Sequence, residues 1–250
     1  VADFNISYPL TSGNEGYYVS QEYFRAHGDK NSGETYMGVD RIQNPGWAGW
    51  PIIDKYKAAN GPISYNTRLP QSLGLEDLVK QYAKQKYWDA MKGDQIVDQD
   101  VANMLFEQIW GGYGGIKAVQ TVINSLITPD SIKVDGGVGA DTLARINSIP
   151  PAILYPALYN QRQDWIDTVG ARINPGAVTG WTTRLERFAK SFGDEVSTAT
   201  SDFVANPVAA VKKNPVIFIG GATIFFTSLA VLAWLIGKVG KGSVNVIKPA

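Results

Sequence analysis

Three stretches of the chain alternate apolar and polar residues with the period of a helix. Leu75, Leu78, Val79 and Tyr82 form the first, Val101, Met104, Leu105 and Ile109 the second, and Ile116, Val119, Ile123 and Leu126 the third. Each predicts an amphipathic helix with one face on a core. Between the second and third lies Trp110-Gly111-Gly112-Tyr113-Gly114-Gly115. With no preceding strand and no G-x-x-x-x-G-K-[ST] pattern, this predicts a tight helix-helix turn and not a phosphate cradle. Pro150-Pro151 opens a further helix, whose stripe of Tyr155, Leu158, Tyr159, Arg162, Trp165, Ile166 and Val169 runs to Gly170 and suits a core better than a binding surface.

The pattern changes character towards the C-terminus. Lys190 to Asn214 is poor in large apolar residues and reads as a spacer, able to reach roughly 80 Å if extended at about 3.3 Å per residue. Val216 to Ile236 then carries no charge and would span roughly 31 Å as a helix, close to the hydrocarbon thickness of a bilayer. Lys212, Lys213, Lys238 and Lys241 flank it and Trp234 stands near one end, as for a transmembrane helix. These near-equal lysine flanks leave the topology open. The opening VADFNISYPL has no basic stretch leading into an apolar core and does not read as a secretory signal peptide.

Composition removes several kinds of chemistry. The chain has 23 basic and 23 acidic residues and no net charge, so long-range attraction to nucleic acid is not expected. There is no cysteine, hence no disulfide framework and no thiolate nucleophile. His27 is the lone histidine, which is thin for zinc and for a Ser-His-Asp triad and suits a loop or site-wall residue. No metal or cofactor is expected.

What remains is carboxylate chemistry between Asn14 and Val39. Glu15 stands at an expected helix-to-loop junction beside Tyr17 and Tyr18, where aromatic surface would favour the protonated acid. Asp29 lies in a loop with Gly28, Asn31 and Gly33 that would keep it ionised. Two carboxyl groups with opposite protonation are what glycoside hydrolysis requires.

Glu15-Gly16-x-Tyr18-Val19, Gly28-Asp29-Lys30-x-x-Gly33-Glu34-Thr35-Tyr36-x-Gly38-Val39 and Pro45-Gly46-Trp47-x-Gly49-Trp50 resemble the N-terminal signature of the glycoside hydrolase family 108 N-acetylmuramidases. The step from Asp29 to Thr35 is also similar to the Asp-to-Thr step of bacteriophage-type lysozymes. Tyr17 stands where the family has a second glycine, and Asn31-Ser32 displaces its usual Gly-Gly by one residue. Val134-Asp135-Gly136-Gly137-Val138-Gly139-x-Asp141-Thr142-Leu143 resembles an element of the small peptidoglycan-binding region that commonly follows this catalytic domain, and Gly180-Trp181-x-x-Arg184 resembles the family's closing motif.

The resemblance implies a mainly α protein. A lysozyme-like catalytic domain over 1–130 would precede a peptidoglycan-binding helical region over 131–189, a spacer over 190–214, a transmembrane helix over 215–237 and a short basic tail over 238–250. It implies an N-acetylmuramidase cleaving β-1,4 bonds of peptidoglycan, with Glu15 as general acid, Asp29 as water-positioning or general-base carboxylate, and Thr35 as a partner of that water or of Asp29. Glu34 is the fallback second carboxylate. Tyr18, Tyr36, Trp47, Trp50 and Trp110 are candidate sugar-stacking residues, some of them expected to be core. The head would face the cell wall from a membrane, or be delivered to a target envelope. Two other readings share these residues: a wall-binding protein without turnover, and a holin-like or effector protein whose hydrophobic tail inserts into a target membrane.

Overall fold

The computed structural model describes residues 1–127 and 131–188. The chain divides into two units. The first takes Val1–Lys117 with Val134–Leu143; the second takes Ala118–Lys133 and the chain from Ala144.

In the first unit, α1 (Phe4–Ser12) is capped by the Asp3 side chain and leads to a small sheet whose strands are β1 (Tyr18–Val19), β2 (Thr35–Tyr36) and β3 (Val39–Asp40). Helix α2 (Gln21–Ala26), capped by Ser20, lies between β1 and β2 in sequence. The strands pair antiparallel in the order β1-β2-β3, with Tyr18 opposite Tyr36 and Tyr36 opposite Val39. The sheet is absent from the helical periods of the sequence, because each strand is two residues long and shows no alternation. The β2–β3 turn has two residues, Met37 and Gly38, and both have positive φ, as the favoured tight hairpin turn demands.

Helices α3 (Gly49–Asn60), α4 (Leu75–Ala83) and α5 (Gln99–Trp110) complete the core, and α6 (Gly115–Leu126) follows the glycine-rich turn. The predicted helical stretches and the turn between α5 and α6 are all present. One expectation needs correction. Helix α5 is not amphipathic in its setting, since Asp100 to Gln108 and Trp110 are all buried, leaving no solvent face. Its polar residues are satisfied inside the protein instead: Ser7 of α1 donates to Asn103 Oδ1 at 2.6 Å, and Gln99 Nε2, one turn earlier in α5, donates to the same oxygen at 2.8 Å. Phe4, Trp88 and Phe106 pack ring against ring beside them, with centroids 5.6 to 5.8 Å apart. Burying three aromatic rings contributes several kcal/mol to this junction.

In the second unit, α8 (Pro151–Trp165) continues through a wider turn to Gly170, and a helix over 178–188 follows. From the predicted stripe Tyr155, Leu158, Arg162 and Ile166 are buried, as a core reading requires. Asn124 brackets Ile132, accepting from its N–H and donating to its carbonyl, both at 2.8 Å. The Val134–Leu143 segment, which belongs to the first unit, holds the DGG turn, where Asp135 Oδ1 accepts the Gly137 N–H at 2.9 Å, and the start of helix α7 (Ala140–Ser148).

Among the described residues no helix is long and apolar enough to cross a membrane. The spacer over 190–214, the apolar run from Val216 to Ile236 and the basic tail lie outside the described residues.

Candidate active site

Glu15 stands just past the end of α1, where its N–H donates to the Ser12 carbonyl at 3.0 Å. The expected helix-to-loop junction is therefore present. Its carboxyl group lies at the tip of the β2–β3 hairpin: a Cβ built on Gly38 would sit 3.1 Å from Glu15 Oε2 and 3.0 Å from Trp110 Nε1. A side chain at this position would crowd both the acid and the indole, and the φ of 79° suits glycine.

The aromatic surroundings of Glu15 differ from those expected. Tyr18 sends its hydroxyl away, to Glu34 Oε1 at 2.7 Å, and Tyr17 lies under the Arg68 guanidinium, 5.4 Å from ring centroid to Cζ. Trp110 and Tyr87 take their place. Their rings stack with centroids 5.5 Å apart, and Tyr8 meets Trp110 at 6.0 Å. Burial pushes the Tyr87 phenol up, and the negative charge of Glu15 adds to the shift. Burial likewise pushes Tyr8 up to about 12. Tyr87 lies 72 residues from Glu15 in sequence and no local pattern marks it; only its place just beyond α4 hints at it.

The segment after Glu15 is fixed from two sides. Tyr17 O accepts from the Met37 N–H at 3.1 Å, its own N–H donates to Asn66 Oδ1 at 2.8 Å, and Asn66 N–H returns to Tyr18 O at 2.7 Å. Asn66 has φ 55°, a left-handed conformation that asparagine tolerates better than most residues. Neither Asn66 nor Gly38 was marked as functional by the sequence, although the glycine belongs to the quoted motif.

Asp29 is held in a turn of its own making. Oδ1 accepts from the N–H groups of Asn31 and Ser32 at 2.9 and 3.0 Å, and Oδ2 accepts from the Ser32 hydroxyl at 2.7 Å. The Ser32 hydroxyl bond, followed by the two backbone N–H groups, keeps its carboxyl below the usual range and therefore ionised. Asn31 and Ser32, which displace the motif's Gly-Gly, are thus the residues that bind Asp29. A carboxylate offers about four acceptor sites, so three bonds leave room for about one water. Thr35, on β2, donates its hydroxyl to Gly33 O at 3.1 Å and not to Asp29.

Glu34 is built into the frame. It receives Tyr18 Oη and Lys57 Nζ at 2.7 Å and pairs with Arg41 Nε at 2.9 Å, while Arg41 and Lys57 also reach Asp54. This network ties the sheet to α3. A cavity of about 270 Å³ opens here, lined by Tyr18, Gln21, Glu22, Glu34, Arg41 and Lys57 among others, away from Glu15. Of the candidate stacking residues, Tyr18, Tyr36, Trp47 and Trp50 are buried: Trp47 and Trp50 meet edge to face at 4.9 Å, and the Trp50 indole N–H donates to Asn44 O at 2.8 Å. Their rings face protein. Trp110 is buried too, but its indole nitrogen meets the same glycine, Gly38, as the Glu15 carboxyl.

Glu15, Gly38 and Trp110 all fall within one segment that carries a known signature. Residues 9–112 match the family model of glycosyl hydrolase 108. The match supports glycoside hydrolase chemistry for this segment. The fold is similar to that of Brucella abortus SagA, at 19% sequence identity and a TM-score of 0.51, covering 75% of this chain and 92% of that one. At that identity the likeness speaks for the fold alone. No curated protein matches the chain. Among the described residues no group of three or more His, Cys, Asp or Glu is placed to hold a metal ion.

Proposed function

We propose that the chain is a peptidoglycan hydrolase, an N-acetylmuramidase that cleaves β-1,4 glycosidic bonds by acid catalysis from Glu15. The observation that carries this is the Glu15 carboxyl at the hairpin tip, where Gly38 also meets Trp110 Nε1, near enough to Tyr87 for its charge to act on that phenol, within the segment that matches glycosyl hydrolase 108. Glu15 protonates the leaving oxygen. Asp29, ionised and with about one acceptor site left, holds the attacking water, and Thr35 borders that loop.

In this reading residues 131–189 assist binding of glycan strands. The apolar run from Val216 to Ile236 anchors the head to a membrane, facing the wall.

The test is digestion of purified peptidoglycan, with mass spectrometry of the products. Wild type releases fragments with a reducing N-acetylmuramic acid end, whereas Glu15→Gln, which keeps shape but cannot donate the proton, loses about 100-fold or more in turnover. A variant that keeps more than about a tenth of the activity removes Glu15 from the mechanism. The commitment of Asp29 to its own turn favours a second reading, a wall-binding protein without turnover. Wall binding with no released fragments would establish it.

A further inference from the structure

One ordered aromatic surface has no part in the chemistry above. Tyr65 is 58% exposed, yet its ring lies flat on that of Tyr23, with centroids 4.2 Å apart and planes 15° apart. Tyr23 also stacks on His27 at 4.0 Å and 28°. Two rings at such distances cannot share one face, so Tyr23 is sandwiched and Tyr65 forms an outer layer. His27 Nδ1 lies 2.8 Å from the Tyr23 carbonyl, which fixes the imidazole at the other end of the stack.

The position of the stack ties it to both candidate carboxylates. Asn66, the next residue after Tyr65, holds the backbone of Tyr17 and Tyr18, immediately after Glu15 and Gly16. His27 lies two residues before Asp29, whose N–H donates to the Phe24 carbonyl at 2.9 Å. The stack therefore joins the loop that clamps the acid's segment to the helix that leads into the Asp29 turn.

We propose that the outer face of Tyr65 is a sugar subsite that takes one pyranose ring of a β-linked glycan strand, away from the bond being cut. The proposal rests on the glycan-hydrolase reading and adds a place on the surface where the strand is held. A pyranose with equatorial substituents presents only axial C–H groups to each face, and a tyrosine ring with its hydroxyl at one edge accepts such a face. Tyr23 and His27 act as backing, so Tyr65 is ordered before the sugar arrives and less freedom is lost on binding. If the stack merely covered α2, replacing Tyr65 would alter stability and leave glycan binding alone.

The experiment uses the full chain carrying Glu15→Gln and a peptide-free glycan strand of six sugars, with binding followed by calorimetry and folding by thermal unfolding. Adding Tyr65→Ala weakens binding by about 3- to 10-fold, in the range measured for one aromatic pair. Adding Tyr65→Phe, which keeps the face, stays within about twofold of the parent. Unchanged binding by Tyr65→Ala overturns the proposal, as does a Tyr65→Phe variant as weak as Tyr65→Ala. Retained turnover in Glu15→Gln removes the assigned acid and not the platform, because the contrast between the two Tyr65 variants is then read as KM on the same strands.

Discussion

Replacing Gly38 by alanine tests the placement of Glu15 directly. The substitution adds one methyl group at a point 3.1 Å from Glu15 Oε2, 3.2 Å from its Cδ and 3.0 Å from Trp110 Nε1. Comfortable separations are about 3.5 Å or more, so the carboxyl or the indole must withdraw by roughly half an ångström. Gly38 also has φ 79°, a conformation that costs an L-residue about 1–2 kcal/mol. Together these predict a stability loss of about 1–3 kcal/mol, and a loss of turnover of about tenfold or more, since a 1 Å misplacement of a catalytic group costs on the order of 100-fold. The assay is release of soluble fragments from purified peptidoglycan beside thermal unfolding. Met37→Ala is the control: it trims a buried side chain from the same turn and adds nothing near Glu15, so it lowers stability with a smaller effect on turnover per unit of stability lost. If Gly38→Ala keeps more than about half of wild-type turnover, the carboxyl that matters is not at the hairpin tip.

Ser32→Ala removes the hydroxyl bond that contributes most to the lowered pKa of Asp29, so NMR titration of its side-chain carboxyl should show the value rising towards the ordinary range. The sign follows from linkage. A depressed folded-state pKa gives stability that is present above the unfolded value of about 3.9 and is lost as pH falls through the folded value, so Ser32→Ala should narrow the stability gap to wild type as pH drops below about 4. Glu34→Gln leaves Asp54 as the remaining carboxylate that pairs with Arg41 and Lys57 and should cost about 1–3 kcal/mol, seen as a lower unfolding temperature; unchanged unfolding would show that the network is replaceable by water. Deleting residues from Asn214 onward should give a folded head with comparable turnover on soluble glycan fragments and no sedimentation with membranes, and aggregation of the head would place the apolar run in its core.

Helical periods made α4, α5, α6 and α8 legible, because an apolar stripe every three to four residues has few other solutions. The glycine-rich turn after Trp110 and the junction at Glu15 were legible for the same reason, as breaks in a pattern. The sheet was not, since two-residue strands carry no period and the Met37-Gly38 turn lacks the usual Asn-Gly or Asp-Gly signal. The neighbours of Glu15 were misjudged because adjacency in sequence suggested Tyr17 and Tyr18. Their backbones are held by Met37, Asn66 and Thr67, while the rings beside the acid come from residues 87 and 110. Burial of Trp47 and Trp50 was equally hidden. An aromatic residue in a motif looks the same whether it faces a ligand or a core.

The burial of α5 on every side sets how motion is distributed around the acid. Backbone amides along Val101 to Trp110 can exchange with solvent hydrogen only when the surrounding helices come apart, so they should be among the slowest to take up deuterium. Protection should then drop abruptly at Gly111, where the helix gives way to the turn. Trp110 occupies the last position before that boundary. The indole that meets Gly38 beside Glu15 is therefore carried on the end of a rod buried along its length, so looser motion near the acid has to come from the turn that starts at Gly111 and from the Met37-Gly38 hairpin.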